Sequence, residues 1–288
     1  LGLYRELEDW QGAPDPHHRG TGGPVHVRPS PNPGPAALAM LDAALEIGVP
    51  TYQSPNGRMM ESEGGAAISD VLTRDGKRHS IFRAFTWPYL DRPNLTLLTQ
   101  TQVARVLLEG RRAVGVEVVR NGAVERFDAT GEVILSLGAI MTPTVLMRSG
   151  IGDEDELRAA DVTLLHRLPG VGRNLQDHVS FGCIWEYREP IAPRNSGSEA
   201  TLYWKSDPSI REPDLLFCQV EFPVPSPETA GRGVPEHGWT MFAGLAHPKS
   251  RGRIRLQGGD LLSKPRIELN TFGDPDDLRA AIACVQLC

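Results

Sequence analysis

Histidines and cysteines are the side chains in this sequence most able to do chemistry, and their spacing decides whether they can. His17-His18 lies in a Pro-rich stretch, while His79, His166, His237 and His247 are scattered. No pair has metal-ligand spacing on a predicted helix, so surface or structural places are expected for them. His178 directly follows Asp177. It could be a base oriented by a carboxylate, or a residue that only fixes the path of the chain. Cys183 and Cys218 are isolated, and Cys284 and Cys288 sit four apart on one face of a predicted helix. Two ligands do not make a zinc site, and buried core thiols in a reducing compartment are the expectation. In the strand predicted over Asp214 to Phe222, one parity is wholly apolar and the other reads Phe217, Gln219, Glu221. Polar groups among aromatics orient ligands in pockets, so this mixed face is a candidate substrate wall. A solvent-facing strand surface is the alternative. As a wall, Glu221 would favour a cationic or basic substrate.

These residues must be held by a fold of ordinary globular composition. The 288 residues carry 30 Lys and Arg against 36 Asp and Glu, a formal charge of −6, with 40% hydrophobic residues. Length and composition allow one large domain or two ordinary ones. The acidic balance, with no dense basic cluster, argues against nucleic acid as a partner. No apolar run is long enough to span a bilayer. Leu1-Gly2-Leu3-Tyr4 shows no signal-peptide pattern, so a cytoplasmic, bacterial-type protein is expected. Asn94-Leu95-Thr96 matches a glycosylation triplet and is read as chance in that compartment.

Apolar periodicity and turn residues predict the positioning elements. Pro35 to Ile47 reads as a helix, stopped by Gly48 and Pro50. Leu95–Thr99, Val103–Glu109 and Ala113–Val119 read as strands, and Asn121-Gly122 is a strong hairpin turn. Glu132–Ser136 reads as a strand buried on both faces. It leads through Gly138 and Ala139 to a helix with Thr142 as N-cap and Pro143 in its first turn. Further strands are expected at Phe181–Tyr187, Trp239–Ala246 and Arg253–Gln257, and a helix from Pro275 capped by Asp274. A strand, a bare Gly-Ala turn and a helix N-terminus can face a cofactor's polar groups, or can be an ordinary βα unit.

The string from Gly138 to Gly152, GAIMTPTVLMRSGIG, resembles the second signature of the glucose–methanol–choline (GMC) family of flavin oxidoreductases. Pro169 to His178 (PGVGRNLQDH) is similar to that family's next block, and Arg92–Thr99 with Val103 to the segment before it. Pro248-Lys249-Ser250-Arg251-Gly252 and Pro265 with Asp276-Asp277 resemble later landmarks, so the likeness runs along the chain. Its choline dehydrogenase-like and pyridoxine oxidase-like branches are the nearest.

The resemblance implies an α/β (α+β) fold: part of a Rossmann-type FAD-binding domain and a mostly antiparallel sheet domain for substrate. It places residues 69–170 in the FAD domain and residues 1–68 and 171–288 in the substrate domain. It implies oxidation of an alcohol to an aldehyde or ketone by hydride transfer to FAD, with oxygen or a quinone as acceptor. Val103 corresponds to the position whose backbone meets the adenine, and Ser136, Gly138 and Ala139 to the turn near the dinucleotide. Asn174, Asp177 and His178 belong to the block returning towards the active-site side. The family's GxGxxG segment is expected before this chain, and its catalytic His with a His or Asn partner beyond Cys288. By that reading this chain alone is an inactive internal fragment. A non-redox FAD-containing lyase of the same fold, or a catalytically empty binding module, are the alternatives.

Overall fold

A computed structural model describes all 288 residues. The elements that matter to the site begin with α1 (Pro35–Glu46), β1 (Thr51–Tyr52) and β2 (Gly65–Ile68). A hairpin sheet follows, β3 (Thr101–Glu109), β4 (Arg112–Arg120) and β5 (Ala123–Asp128), then α2 (Gly138–Arg148) and α3 (Glu154–Ala159). The remaining strands are β6 (Val179–Glu186), β7 (Ala200–Trp204), β8 (Leu215–Val220), β9 (Gly238–Leu245), β10 (Arg253–Arg255) and β11 (Arg266–Glu268). The last element is α4 (Pro275–Leu287).

The chain forms two compact units. One comprises Leu1–Leu95, His178–Pro248 and Pro275–Cys288; the other comprises Thr96–Asp177 and Lys249–Asp274. The units meet along the chain at 95/96 and 177/178, and a late segment returns to the second unit.

The first unit is built on a six-stranded sheet in the order β6-β9-β8-β7-β2-β1. All its pairings are antiparallel except β1 with β2. Helices α1 and α4 cover one face. Leu215, Phe217, Met241, Ala243 and Leu245 from the sheet pack there with Ala37, Met40 and Ala44 of α1 and Ala281 and Cys284 of α4. Strand alternation makes this work: every second residue of β8 and β9 reaches the helices, and the sheet register places Leu215 opposite Leu245. A second cavity-forming feature sits on the same face. Trp185 and Trp239 stack with ring centroids 4.7 Å apart, at the edge of an apolar cavity of about 650 Å³ bordered by α1 and the end of α4.

The second unit holds the three-stranded antiparallel sheet β5-β4-β3. Its β4–β5 turn is Asn121-Gly122, both at positive φ (50° and 79°), as a tight two-residue hairpin requires. A small core of Met147, Leu157 and Ile254 joins α2, α3 and β10.

Two expected strands are absent. Leu95–Thr99 and Glu132–Ser136 form no strand and have no ladder partner. Ile134, expected to be buried on both faces, is 76% exposed. A segment becomes a strand only when a neighbour takes up its N–H and C=O groups, and no strand of this chain does so. Helix α2 also begins earlier than expected, at Gly138, with Pro143 inside it. Thr142 does not cap it from the N-cap position. Its Oγ1 instead accepts from the Leu137 amide at 3.1 Å, one turn back.

Candidate functional site

The turn into α2 is the first part of the site. Gly138 has φ +78°, a left-handed backbone that glycine adopts without strain. A Cβ there would meet nothing within 4 Å, so the turn opens into free space. The N-cap residue, Leu137, gives no side-chain cap, and Ser136, Gly138 and Ala139 are exposed. The N-terminus of this eleven-residue helix is thus exposed and has no side-chain cap, which suits the polar or anionic part of a dinucleotide.

The far end of α2 is anchored. Ser149 is buried, donates to the Val145 carbonyl at 2.6 Å and accepts from the Val106 amide at 2.8 Å. Val106 lies on β3, the edge strand, so Ser149 satisfies a group that the sheet leaves open. Three residues upstream, Val103 sits at a register irregularity of the same strand, beside the fully buried Ala104. Gly150 follows at φ +77°, where a Cβ would lie 2.5 Å from the Thr163 carbonyl. Arg148 is buried and donates to the Ser263 carbonyl. Burial pushes its guanidinium below the usual arginine range, partly opposed by Asp260. The signature residues are therefore fixed by backbone approach and by single hydrogen bonds. Ser149 was not singled out from the sequence, although it lies within the recognised string.

The block around Asn174 is held by β10. Ile254 donates to the Gly172 carbonyl at 2.7 Å, and Leu175 and Gly252 exchange two backbone bonds at 3.0 and 2.8 Å. Gly172 has φ +79°, and a Cβ on it would lie 2.4 Å from the Ile254 carbonyl. Asn174 also takes positive φ, at 60°, a conformation asparagine tolerates. Asn174, Asp177 and His178 are exposed, and the chain passes from the second unit to the first between Asp177 and His178.

Phe217, Gln219 and Glu221 do not form a solvent-facing surface. They lie on the helix-covered face of β8 and are 2%, 0% and 1% exposed. Phe217 packs in the core beneath α1. Phe217 also lines the apolar cavity beside Trp185 and Trp239. Gln219 accepts from the Glu199 amide at 3.4 Å, and Glu221 accepts from the Arg194 amide at 2.6 Å. Backbone amides reach one atom of each side chain, while Gln219 Nε2 and Glu221 Oε1 are buried without a hydrogen-bond partner. The start of α1 approaches so closely that a Cβ on Gly34 would sit 2.1 Å from Glu221 Oε1. Glu199, which the sequence gave no reason to choose, belongs to the same cluster. It is 1% exposed and accepts from Ser30 Oγ at 2.9 Å, from the Gly34 amide at 2.7 Å and from Asn195 Nδ2. The opposite parity, Leu216, Cys218 and Val220, is the one turned away from the helices. There burial raises the Cys218 thiol, with Thr201 Oγ1 3.9 Å from its sulfur, and burial also raises the Tyr203 hydroxyl.

Of the remaining cysteines, Cys284 is a buried core thiol, while Cys183 is half-buried and Cys288 exposed. Cys284 is fully buried, and burial pushes its thiol up to about 12. No disulfide is formed and no cluster could hold a metal ion. No helix is long and apolar enough to cross a membrane. The sequence showed no dense arginine cluster, yet the fold gathers Arg173, Arg253 and Arg255 around Glu156, with distances of 2.5–3.3 Å.

Comparison with known proteins follows this geometry. Residues 3–180 match the family model described as GMC oxidoreductase. The chain is 33% identical over 302 residues to the oxygen-dependent choline dehydrogenase of Paraburkholderia phytofirmans, covering 97% of this chain and 53% of that protein. It is 32% identical to the choline oxidase of Arthrobacter globiformis, covering 99% of this chain and 53% of that protein. The crystal structure of pyridoxine 4-oxidase from Mesorbium loti superposes with a TM-score of 0.87 at 29% identity, covering 99% of this chain and 56% of that one. The chain thus spans a little over half the length of the relatives it matches. On the extent of the family match, the chain belongs to the GMC oxidoreductase family.

Proposed function

We propose that the protein carrying this chain uses FAD to oxidise a small alcohol to the aldehyde or ketone. The observation that carries this reading is the match of residues 3–180 to a family whose members are FAD-dependent. Relatives named for choline, for an alcohol with an acceptor, and for pyridoxine support an alcohol substrate.

The residues present fit the group. Bound FAD supplies the hydride acceptor. The exposed turn at Gly138 and Ala139 would hold polar atoms of the dinucleotide, and the backbone at Val103 would meet its adenine end. Ser149 keeps α2 and β3 in fixed relation by bonding to both. The second unit is the cofactor-binding portion and the first, with its six-stranded sheet, the substrate portion. Both faces of that sheet are candidates for a substrate wall: the one holding Phe217, which lines the apolar cavity, and the one turned away from the helices, with Leu216, Cys218 and Val220. No residue of this chain is assigned as the proton acceptor. Oxygen or a quinone re-oxidises the flavin.

The test uses the full-length protein. Purified or reconstituted protein should show flavin absorbance in the visible, and anaerobic choline, pyridoxine or a simple alcohol should bleach it. A protein that gains no flavin on reconstitution overturns the proposal. One that holds flavin no alcohol bleaches overturns the redox part.

A further inference from the structure

In the first unit, His18 is 7% exposed in its side chain and has an acidic residue at each ring nitrogen. Nδ1 lies 2.9 Å from Asp15 Oδ2, within hydrogen-bond geometry. Nε2 lies 3.2 Å from Glu61 Oε1, an ion-pair contact whose angles fall outside hydrogen-bond geometry. Ionised carboxylates only accept hydrogen bonds, so both ring nitrogens face acceptors. A neutral imidazole has one N–H and one lone pair, and its lone pair would meet one of the two carboxylates. Only the imidazolium suits both.

The two acids come from different segments. Asp15 belongs to the loop 11–24, where its Oδ1 also accepts from the His17 and His18 amides, each at 3.1 Å. Glu61 ends the helical turn Arg58–Glu61. The same two segments share a cleft of about 720 Å³, which Asp15 lines from the loop and Gly57 and Arg58 from the turn. The other charged neighbours are accounted for. The His17 ring stands edge-on, 6.5 Å away. The Arg19 guanidinium is turned aside to Glu8 and Asp70, at 2.7 Å each, over the Trp10 ring.

We propose that protonated His18 is a clasp that fastens the loop at Asp15 to the turn at Glu61, and that its deprotonation frees the loop there and widens the cleft. Arg19 remains as an anchor that does not titrate in this range. The hydrogen bond to Asp15 raises the imidazole above its ordinary value near 6.5, and the same bond lowers the Asp15 carboxyl. The sign follows. A raised histidine contributes its full stabilisation below the unfolded-state value near 6.5 and loses it as pH rises through the folded value. The clasp therefore holds between the lowered range of Asp15 and the raised range of His18.

The test is hydrogen exchange of the full-length protein across neutral pH, corrected for the intrinsic rate, together with NMR titration of the His18 ring. The ring should titrate above 6.5, and protection of the His17 and His18 amides should fall with that same midpoint. The Gly20 amide, bonded to Glu8 Oε2 at 2.9 Å, should keep its protection. His18→Gln should abolish the pH dependence. Glu61→Gln, at an exposed side chain that does not threaten folding, should lower the midpoint. A ring that titrates at or below 6.5, a midpoint unmoved in Glu61→Gln, or pH-dependent protection that persists in His18→Gln would overturn the clasp. None of these readouts depends on flavin.

Discussion

The six-stranded sheet of the first unit and the unpaired segments of the second unit contain similar apolar residues and end differently. In the first unit every β8 and β9 group has a ladder partner, and two helices close one face over Leu215, Phe217 and Leu245. In the second, Leu95–Thr99 and Glu132–Ser136 are equally apolar yet unpaired, with Leu97 and Ile134 exposed. Apolar content marks a segment that is able to be buried. Pairing and a covering layer decide whether it is. The same residue type should therefore carry very different weight in the two places.

Substitutions test that contrast directly. Leu215→Ala empties a fully buried site opposite Leu245 and should cost about 2–5 kcal/mol, read as a lowered urea midpoint; a cost below that range would mean that the sheet face is not closed. Glu199→Ala strips acceptors from Ser30 and the Gly34 amide, both inside the first unit. It should cost about 1–3 kcal/mol, the penalty for buried donors left unpaired. In the second unit, Gly172→Ala must hold a positive φ and push a Cβ towards the Ile254 carbonyl. About 1–3 kcal/mol of strain is expected, with faster amide exchange at Ile254 and Leu175. At the other extreme, Ile134→Ala should change stability by no more than about 0.5 kcal/mol. A large loss at Ile134 in the isolated chain would show that this segment is paired after all. The smallest effect is kinetic. With the Cys284 thiol pushed up to about 12, its alkylation near neutral pH should be slow, should accelerate as pH rises, and should become ordinary in urea. Rapid native-state labelling would contradict its burial.

Much of the fold was legible because local signals and tertiary structure agree. Asn121-Gly122 turns a hairpin as its backbone preference demands. Pro35 opens a helix and Gly48, at φ +83°, follows its end. The GMC signature was legible from its length and order, and its glycines at 138, 150 and 172 all take positive φ. Other features depended on information that no local stretch holds. Nothing in Glu132–Ser136 says whether a partner strand lies alongside. The two faces of β8 could not be told apart from alternation, because Gln219 and Glu221 look like surface residues until the amides of Glu199 and Arg194 are seen beside them. Thr142-Pro143 carries a helix-start signal that an earlier glycine overrode. The mutual position of Asp15, His18 and Glu61 is likewise invisible in sequence, since Glu61 lies on a separate turn.

The interleaving of the two units has a consequence for how the chain is made. Ile68 pairs with Ala200, yet the hairpin sheet and α2 of the other unit lie between them in sequence. A nascent chain emerging from the ribosome must hold the strand Gly65–Ile68 without its neighbour while a different unit is synthesised. The covering helix α4 emerges only after every strand of that sheet. Non-local pairings of this kind fold slowly and leave sheet edges exposed in the interval. Slow translation or scarce chaperones should therefore harm the first unit more than the second, whose hairpin needs only adjacent residues.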